Sequence, residues 1–342
     1  MTLAVAWRWL SARPNGILAL LTALQAHDSG TVAQDKIPNS SDLPGAIRCV
    51  VLVIELTFVS SGAFFLLLSS SVLGLLARSL QHALLAAVNA QIVPDDAVVH
   101  ICETMMFGWG LVTFMSWFFC QTKRNLVQRL AEYGSSDTKS CITSVAVHFT
   151  AIVVLLFLQL QTEAQVLVSL KNVETVVYRP DGSFATAEIM QNLLLGPIKE
   201  ELFFRGAIEL VAINRLQNAK WSAAISAVLF AAIHLVNARH PRTQYSASYV
   251  AFQVLWAFLV GLYLALTLAV SGSMVKCLVL HVTNNIFALG VSKTNAVDLV
   301  QPLTVFFILS ALAIYSLAIS RQLQLLCVCN CKEKQPSRNH EE

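Results

Sequence analysis

Long apolar stretches alternate with short polar connectors along most of the chain. A helix needs about 20 mostly apolar residues to cross the ~30 Å hydrocarbon core of a bilayer. By this criterion the pattern predicts eight membrane-spanning helices, at residues 49–77, 97–120, 141–160, 187–204, 221–237, 248–271, 274–290 and 301–320. Helices close their own backbone hydrogen bonds in lipid. The predicted fold class is therefore all-α, a polytopic membrane protein with a central cluster of helices that carries the chemistry.

The connectors divide the chain into five regions: an N-terminal segment (1–48), N-terminal transmembrane helices (49–186), a core (187–290), a last transmembrane helix (291–320) and a polar, cysteine-containing tail (321–342). Within them, 161–186 is expected to be a loop with some interfacial helix, and 205–220 a polar loop. Arg8 and Arg13 precede a short apolar run, which is typical of a signal peptide or of an interfacial helix. Lys and Arg concentrate on alternate connectors, which predicts that both termini are cytosolic.

Composition supports the membrane assignment. Hydrophobic residues make up 56% of the 342 residues and charged residues only 13%, against roughly 25% in an ordinary soluble domain. The net charge of +3 is too small and too scattered to indicate nucleic-acid binding. The eight cysteines form no evenly spaced disulfide framework. Cys327, Cys329 and Cys331 follow the last predicted span; they suggest S-palmitoylation, with a metal site or no special role as alternatives.

One apolar segment contains an unusual group of charges. The run Gly196-Pro197-Ile198-Lys199-Glu200-Glu201-Leu202-Phe203-Phe204-Arg205-Gly206 follows three leucines of the predicted fourth span. Charge inside a bilayer is costly, so such residues usually have a function. Glu201 and Arg205 are four residues apart on one helical face and are expected to form an ion pair. Glu200 points about 100° away and stays free of that pair. Two carboxylates in unlike environments can take different roles.

Two further polar groups lie on later predicted helices. Phe230 and His234 are four residues apart in the fifth predicted helix, between Ala223 and Val236. His281 and Asn285 have the same spacing in the seventh. A single membrane histidine, or a single His/Asn pair, is usually explained by a hydrogen bond between helices. Three such groups on three helices favour a shared site.

The patterns Glu-Glu-x-x-x-Arg, Phe-x-x-x-His and His-x-x-x-Asn, in this order on membrane helices, resemble the motifs of the CAAX-protease and bacteriocin-processing (CPBP, or ABI) family. This family includes type II CAAX prenyl proteases of the endoplasmic reticulum membrane. The resemblance spans residues 187–290. It implies an intramembrane endopeptidase that hydrolyses peptide bonds with a glutamate-activated water.

Family likeness also implies roles for individual residues. Glu200 would activate the hydrolytic water and His234 would share it. His281 and Asn285 would stabilise the oxyanion, while Glu201, Arg205 and Phe230 would support them. Residue chemistry agrees, because amide hydrolysis needs a base within ~2.6–3.2 Å of the attacking water and donors aimed at the oxyanion.

No cofactor is expected. Two glutamates and two histidines are possible zinc ligands, but the His-Glu-x-x-His pattern is absent, and no carboxylate is expected beside either histidine to support a metal ligand. A metal-free glutamate protease is the favoured interpretation, with zinc as the alternative.

The expected partners are the lipid bilayer and prenylated protein C-termini, from which the enzyme would remove the last three residues. General processing of membrane peptides is the alternative, since Gly206 directly after Arg205 looks more like the prokaryotic and organellar branches of the family. Two non-enzymatic hypotheses stay open: a scaffold or immunity-type protein, and a transporter that uses Glu55, Glu200 and Glu201 as ion sites. The other ionisable residues in or near spans, His100, Glu103 and His148, are expected to pair between helices or to lie near the interface.

Overall fold

The computed structural model describes residues 45–87, 96–119, 146, 170–239, 247–290 and 302–333. These residues are almost entirely helical, and the one β-type pairing among them is an isolated bridge between Tyr178 and Phe184. The predicted all-α membrane fold is thereby confirmed. Four described helices are long and apolar enough to cross a bilayer: Cys49–Ala87, Asp96–Phe118, Ala219–Ala238 and Tyr249–Ser271. The count of eight spans stays a prediction; most of the predicted span 141–160 lies outside the described residues.

The helices, in chain order, are α1 (Gly45–Ala87), α2 (Asp96–Phe118), α3 (Leu170–Val177), α4 (Thr186–Met190), α5 (Gly196–Phe203), α6 (Glu209–Leu216), α7 (Ala219–Ile233), α8 (Ala247–Ser271), α9 (Met274–Gly290) and α10 (Pro302–Glu333). Two π-helical turns, Gln191–Leu195 and Phe204–Ile208, join α4 to α5 and α5 to α6. A 3₁₀ turn, His234–Arg239, extends α7.

α1 and α10 are both longer than the apolar pattern predicts. α1 has 43 residues, about 65 Å at 1.5 Å per residue, which is about twice the thickness of the hydrocarbon core. The span was expected to end at residue 77 because Arg78 is charged. The helix instead continues past Arg78, whose side chain pairs with Asp96 at the start of α2. Likewise, α10 continues through most of the predicted polar tail to Glu333.

The prediction of a loop at 205–220 is wrong, because residues 205–216 are helical. The polar residues that indicated a loop are buried and paired inside the bundle, Arg205 with Glu201 and Arg215 with Glu55. The chain turns only at Gln217, which adopts a left-handed conformation with φ of 52°. The Asn218 side chain then accepts hydrogen bonds from two backbone N–H groups and caps the N-terminus of α7.

The core centres on the interrupted helix α4–α6. Its apolar face packs with α1, α2 and α7 through residues such as Val59, Phe107, Met115, Ile208 and Phe230. α7 packs along α8, which also contacts α9 and α10. A second core cluster joins α8, α9 and α10 and includes Leu264, Leu280 and Tyr315. The helices that carry the three motifs are thus held against one another by apolar packing on both sides.

Candidate active site

The two glutamates lie on α5, a short helix between two π-turns. The N–H of Gly196 donates to the carbonyl of Gln191, five residues back, and the N–H of Glu209 donates to Phe204 in the same way. Gly196 is required here, because a Cβ at this position would lie 2.8 Å from the Gln191 carbonyl oxygen. Such π-turns occur often at functional sites, where they rotate the following residues around the helix axis.

The expected ion pair between Glu201 and Arg205 is confirmed. Arg205 Nη1 lies 3.3 Å from Glu201 Oε1, and both side chains are buried. Arg205 Nη2 also donates to the carbonyl of Gly261 in α8 at 3.0 Å, and the guanidinium carbon lies 4.7 Å from the centre of the Phe230 ring. Buried charges need partners of this kind. Arg205 therefore links α5 to both α7 and α8.

His281 lies between the two glutamates. Its Nδ1 is 2.7 Å from Glu201 Oε1, and its Nε2 is 3.5 Å from Glu200 Oε2. An ionised carboxylate only accepts, so Nδ1 carries a proton and donates to Glu201. The expectation that no carboxylate lies beside either histidine is therefore wrong for His281. Residues 80 positions apart in sequence meet here because α9 packs against α5.

The two carboxylates differ in their surroundings, as their positions on the helix predict. Glu201 is 2% exposed and contacts both His281 and Arg205. Glu200 has 38% of its side chain exposed, and its described polar contact is with His281 Nε2. Glu200 is thus accessible to a small molecule, while Glu201 is not.

Phe230 contacts both histidines. Its ring centre lies 5.3 Å from that of His234 and 5.5 Å from that of His281, each edge-on. His234 Nδ1 donates to the carbonyl of Phe230 at 2.8 Å, since a carbonyl only accepts. His234 Nε2 therefore keeps a lone pair while the ring is neutral. One buried aromatic ring orients both imidazoles.

Asn285 lies one turn beyond His281 on α9, and its Nδ2 donates to the Asn192 carbonyl in the first π-turn at 3.0 Å. Within the described residues, neither His234 nor Asn285 hydrogen-bonds to Glu200. The structure thus brings Glu200, Glu201, Arg205, Phe230, His234 and His281 together through direct contacts. Asn285 joins this group through its position on α9 and through Asn192.

Two participants were not foreseen from the sequence. The Gly261 carbonyl binds Arg205, and a main-chain group leaves no motif in a sequence. Glu209 is buried one turn after Arg205, and its Oε2 has no hydrogen-bond partner among the described residues. The spacing Glu201–Arg205–Glu209 was a visible signal for it, because residues four apart share a helical face.

Three ionisable residues of the N-terminal helices, Glu55, His100 and Glu103, form pairs of their own. Glu55 accepts two hydrogen bonds from Arg215, at 2.5 and 2.6 Å. Glu103 contacts His100 of its own helix at 3.2 Å. His148 lies outside the described residues. Because Glu55 is engaged by Arg215, it does not join Glu200 and Glu201 in an ion site.

The arrangement of the side chains does not favour a metal site. Among the described residues, no group of three His, Cys, Asp or Glu side chains is arranged to hold a metal ion. The Arg205 guanidinium already supplies the positive charge beside Glu201.

At the C-terminal end, the exposed Cys327 thiol accepts a hydrogen bond from Lys220 Nζ at 3.4 Å. The side chains of Cys329 and Cys331 lie outside the described residues, so palmitoylation of this segment stays a prediction.

A family model described as type II CAAX prenyl endopeptidase Rce1-like matches residues 182–287, just under a third of the chain. The match covers all three motifs and confirms the predicted family resemblance. The apolar helices and this match together indicate a multi-pass integral membrane protein. Residues 182–287 are similar to the type II CAAX prenyl endopeptidases that this family model describes. No curated protein and no solved structure matches the chain at a significant level.

Proposed function

We propose that this protein is an intramembrane endopeptidase in which Glu200 activates a water molecule for attack on a peptide bond. The observation that carries the proposal is the contact series Glu200–His281–Glu201–Arg205, in which one glutamate is partly exposed and the other is buried and paired. Removing Glu200 from such a series leaves the buried pair intact. This separates the reacting group from the groups that hold the helices.

Glu200 has the properties of a general base. Its partial exposure admits water, and the polar group in contact with it, His281 Nε2, can hold or return a proton. The hydrogen bond from His281 Nδ1 to Glu201 fixes the orientation of the imidazole, so that its Nε2 faces Glu200. A proton taken from water by Glu200 then has a route to the leaving amine.

The two remaining polar groups fit the substrate side of the reaction. His234 Nε2 can accept a hydrogen bond from the same water, because its Nδ1 proton is used by the Phe230 carbonyl. The Asn285 amide can donate to the carbonyl oxygen as negative charge develops on it, and His281 Nε2 can do so once it has received the proton that Glu200 takes from the water. Loss of one such donor typically costs about 10²–10³ in kcat.

The reaction proposed here uses no metal. Glu201, a strong potential ligand, is already engaged by a guanidinium and an imidazole. A divalent cation at Glu201 would meet the repulsion of the Arg205 charge a few ångströms away.

For the substrate, we propose the C-terminal tripeptide of prenylated CAAX proteins, cleaved in the endoplasmic reticulum membrane. The matched family supports this class, and a site between membrane helices suits a peptide anchored by a lipid. General membrane-peptide processing is the alternative from the same family. A non-catalytic scaffold is disfavoured, because a scaffold does not need a partly exposed carboxylate such as Glu200 inside a membrane helix.

The test is cleavage of a farnesylated CAAX peptide by the purified full-length protein in liposomes, with the non-prenylated peptide in parallel. Wild type is expected to release the tripeptide from the farnesylated substrate, and Glu200→Gln is expected to release none. Glu188→Gln is the matched control, since Glu188 pairs with Arg179 on an exposed surface. Cleavage of both peptides at equal rates would favour general processing; full activity of Glu200→Gln would overturn the proposed mechanism.

A further inference from the structure

Three hydrogen bonds of side chains form a connected series. Its last bond joins Asn285 to a backbone carbonyl of the first π-turn. Trp256 Nε1 donates to Asn284 Oδ1 at 2.8 Å, and Asn284 Nδ2 donates to Asn285 Oδ1 at 3.4 Å. Asn285 Nδ2 then donates to the Asn192 carbonyl at 3.0 Å. This series of hydrogen bonds runs from α8, across two neighbouring residues of α9, to the turn that precedes Glu200.

The two end groups of this series fix which atom donates and which accepts in each hydrogen bond. An indole N–H only donates, and a main-chain carbonyl only accepts. Asn284 must therefore turn its oxygen toward Trp256 and its nitrogen toward Asn285. Asn285 must turn its oxygen toward Asn284 and its nitrogen toward Asn192. Each amide has one orientation in which all three bonds form.

Pro197 explains why the Asn192 carbonyl is available. In the π-turn the N–H of Gly196 donates to Gln191, five residues back. The corresponding donor for Asn192 would be residue 197, and proline has no N–H. The carbonyl therefore has no donor from its own helix in this register, and it accepts from Asn285 instead. A break in one helix thus orients a side chain on another.

We infer that Trp256 and Asn284 are positioning residues that hold the Asn285 amide in its reactive orientation. This inference rests on the proposed role of Asn285. With its oxygen and one Nδ2 hydrogen engaged, Asn285 has one hydrogen left, and that hydrogen is the donor to the oxyanion. Trp256 is itself fixed by Tyr315, edge-on with ring centres 5.2 Å apart, and by stacking on Phe252 at 5.9 Å.

Two substitutions interrupt this series of hydrogen bonds at different points. Trp256→Phe keeps an aromatic ring against Tyr315 and removes the N–H. Asn284→Asp keeps the acceptor for Trp256 and places a carboxylate oxygen against Asn285 Oδ1. Each is expected to lower kcat by about 10- to 100-fold with KM within about twofold of wild type, because a misdirected donor costs transition-state stabilisation and little substrate binding. Thr283→Ala is the control, since its hydroxyl bonds the backbone of its own helix; it is expected to keep wild-type kcat.

A double-mutant cycle with Asn285→Ala separates positioning from general structural damage. Trp256→Phe is expected to lower kcat in the wild-type protein and to have no further effect in the Asn285→Ala protein. If Asn285→Ala itself leaves kcat unchanged, the proposed role of Asn285 fails. The inference fails, while the proposed function stands, if Asn285→Ala lowers kcat and either of two results follows. In the first, Trp256→Phe leaves the kcat of the wild-type protein unchanged; in the second, it lowers kcat by the same factor in the wild-type and Asn285→Ala proteins.

A binding measurement replaces the cycle if Asn285→Ala turnover is too slow to follow. A farnesylated peptide aldehyde, whose hydrate imitates the tetrahedral intermediate, is compared with the corresponding alcohol. Trp256→Phe is expected to weaken aldehyde binding about tenfold or more and to leave alcohol binding unchanged. Equal weakening of both ligands, or of neither, would overturn the inference.

Discussion

The carboxylate of Glu55 in α1 accepts two hydrogen bonds from the guanidinium of Arg215 in α6, with both side chains at least 95% buried. Arg215 lies on the same interrupted helix as Glu200, one residue before that helix ends. The pair therefore ties the first long membrane helix to the helix that carries the reacting group. It gives the N-terminal helices a specific role in holding the site.

Breaking this pair is expected to destabilise the protein strongly. Glu55→Gln leaves Arg215 buried without a counter-charge, which typically costs about 3–5 kcal/mol. A Glu55→Met, Arg215→Met double variant removes both charges and is expected to lie much closer to wild type. Thermal unfolding in detergent measures all three proteins. A Glu55→Gln protein with an unchanged Tm would contradict the assigned role.

A methyl group at Gly261 is expected to reduce activity by disturbing Phe230. A Cβ at Gly261 would lie 2.9 Å from Phe230 Cδ1, and Phe230 contacts both histidines. Gly261→Ala is therefore expected to lower kcat by about tenfold or more, since small displacements of catalytic groups are costly. Gly206→Ala is the control, because its nearest new contact would be an ordinary 3.8 Å. Equal kcat in the two variants would show that Phe230 does not position the histidines.

Arg205 is expected to be irreplaceable by lysine. The guanidinium reaches Glu201, the Gly261 carbonyl and the Phe230 face at once, and a single ammonium group cannot keep this geometry. Arg205→Lys is expected to reduce both thermal stability and kcat, with a loss in stability on the scale of a broken buried pair, about 3–5 kcal/mol. Circular dichroism melting and peptide cleavage test this on one preparation. Near-wild-type values for both would mean that charge alone is needed at residue 205.

Activity is expected to survive removal of divalent metal. The proposed reaction uses the protein's own carboxylate and imidazoles, so dialysis against a zinc chelator should leave the initial rate of farnesyl-peptide cleavage unchanged. Glu188→Gln, treated in the same way, controls for chelator effects on the liposomes. Loss of activity that added zinc restores would replace the metal-free mechanism with a zinc-dependent one.

The fold and much of the candidate site could be predicted from the sequence because their signals are local. Apolar stretches predicted the helices, and four-residue spacing predicted that Glu201 pairs with Arg205. The prediction of a loop at 205–220 was wrong mainly because of Arg215, whose buried partner Glu55 lies 160 residues away and leaves no local pattern. The contact between His281 and Glu201 was missed for the same reason. Only the packed helices reveal which polar residues are paired.

The most direct test of the central claim follows the oxygen atom that enters the product. A single turnover in H₂¹⁸O is analysed by mass spectrometry of the new C-terminal carboxylate and of the enzyme peptide that contains Glu200. If Glu200 acts as a base on water, the ¹⁸O is expected in the cleaved product, and Glu200 should remain unlabelled. An unlabelled product together with ¹⁸O in Glu200 would show that the carboxylate attacks the substrate itself, and would contradict the account.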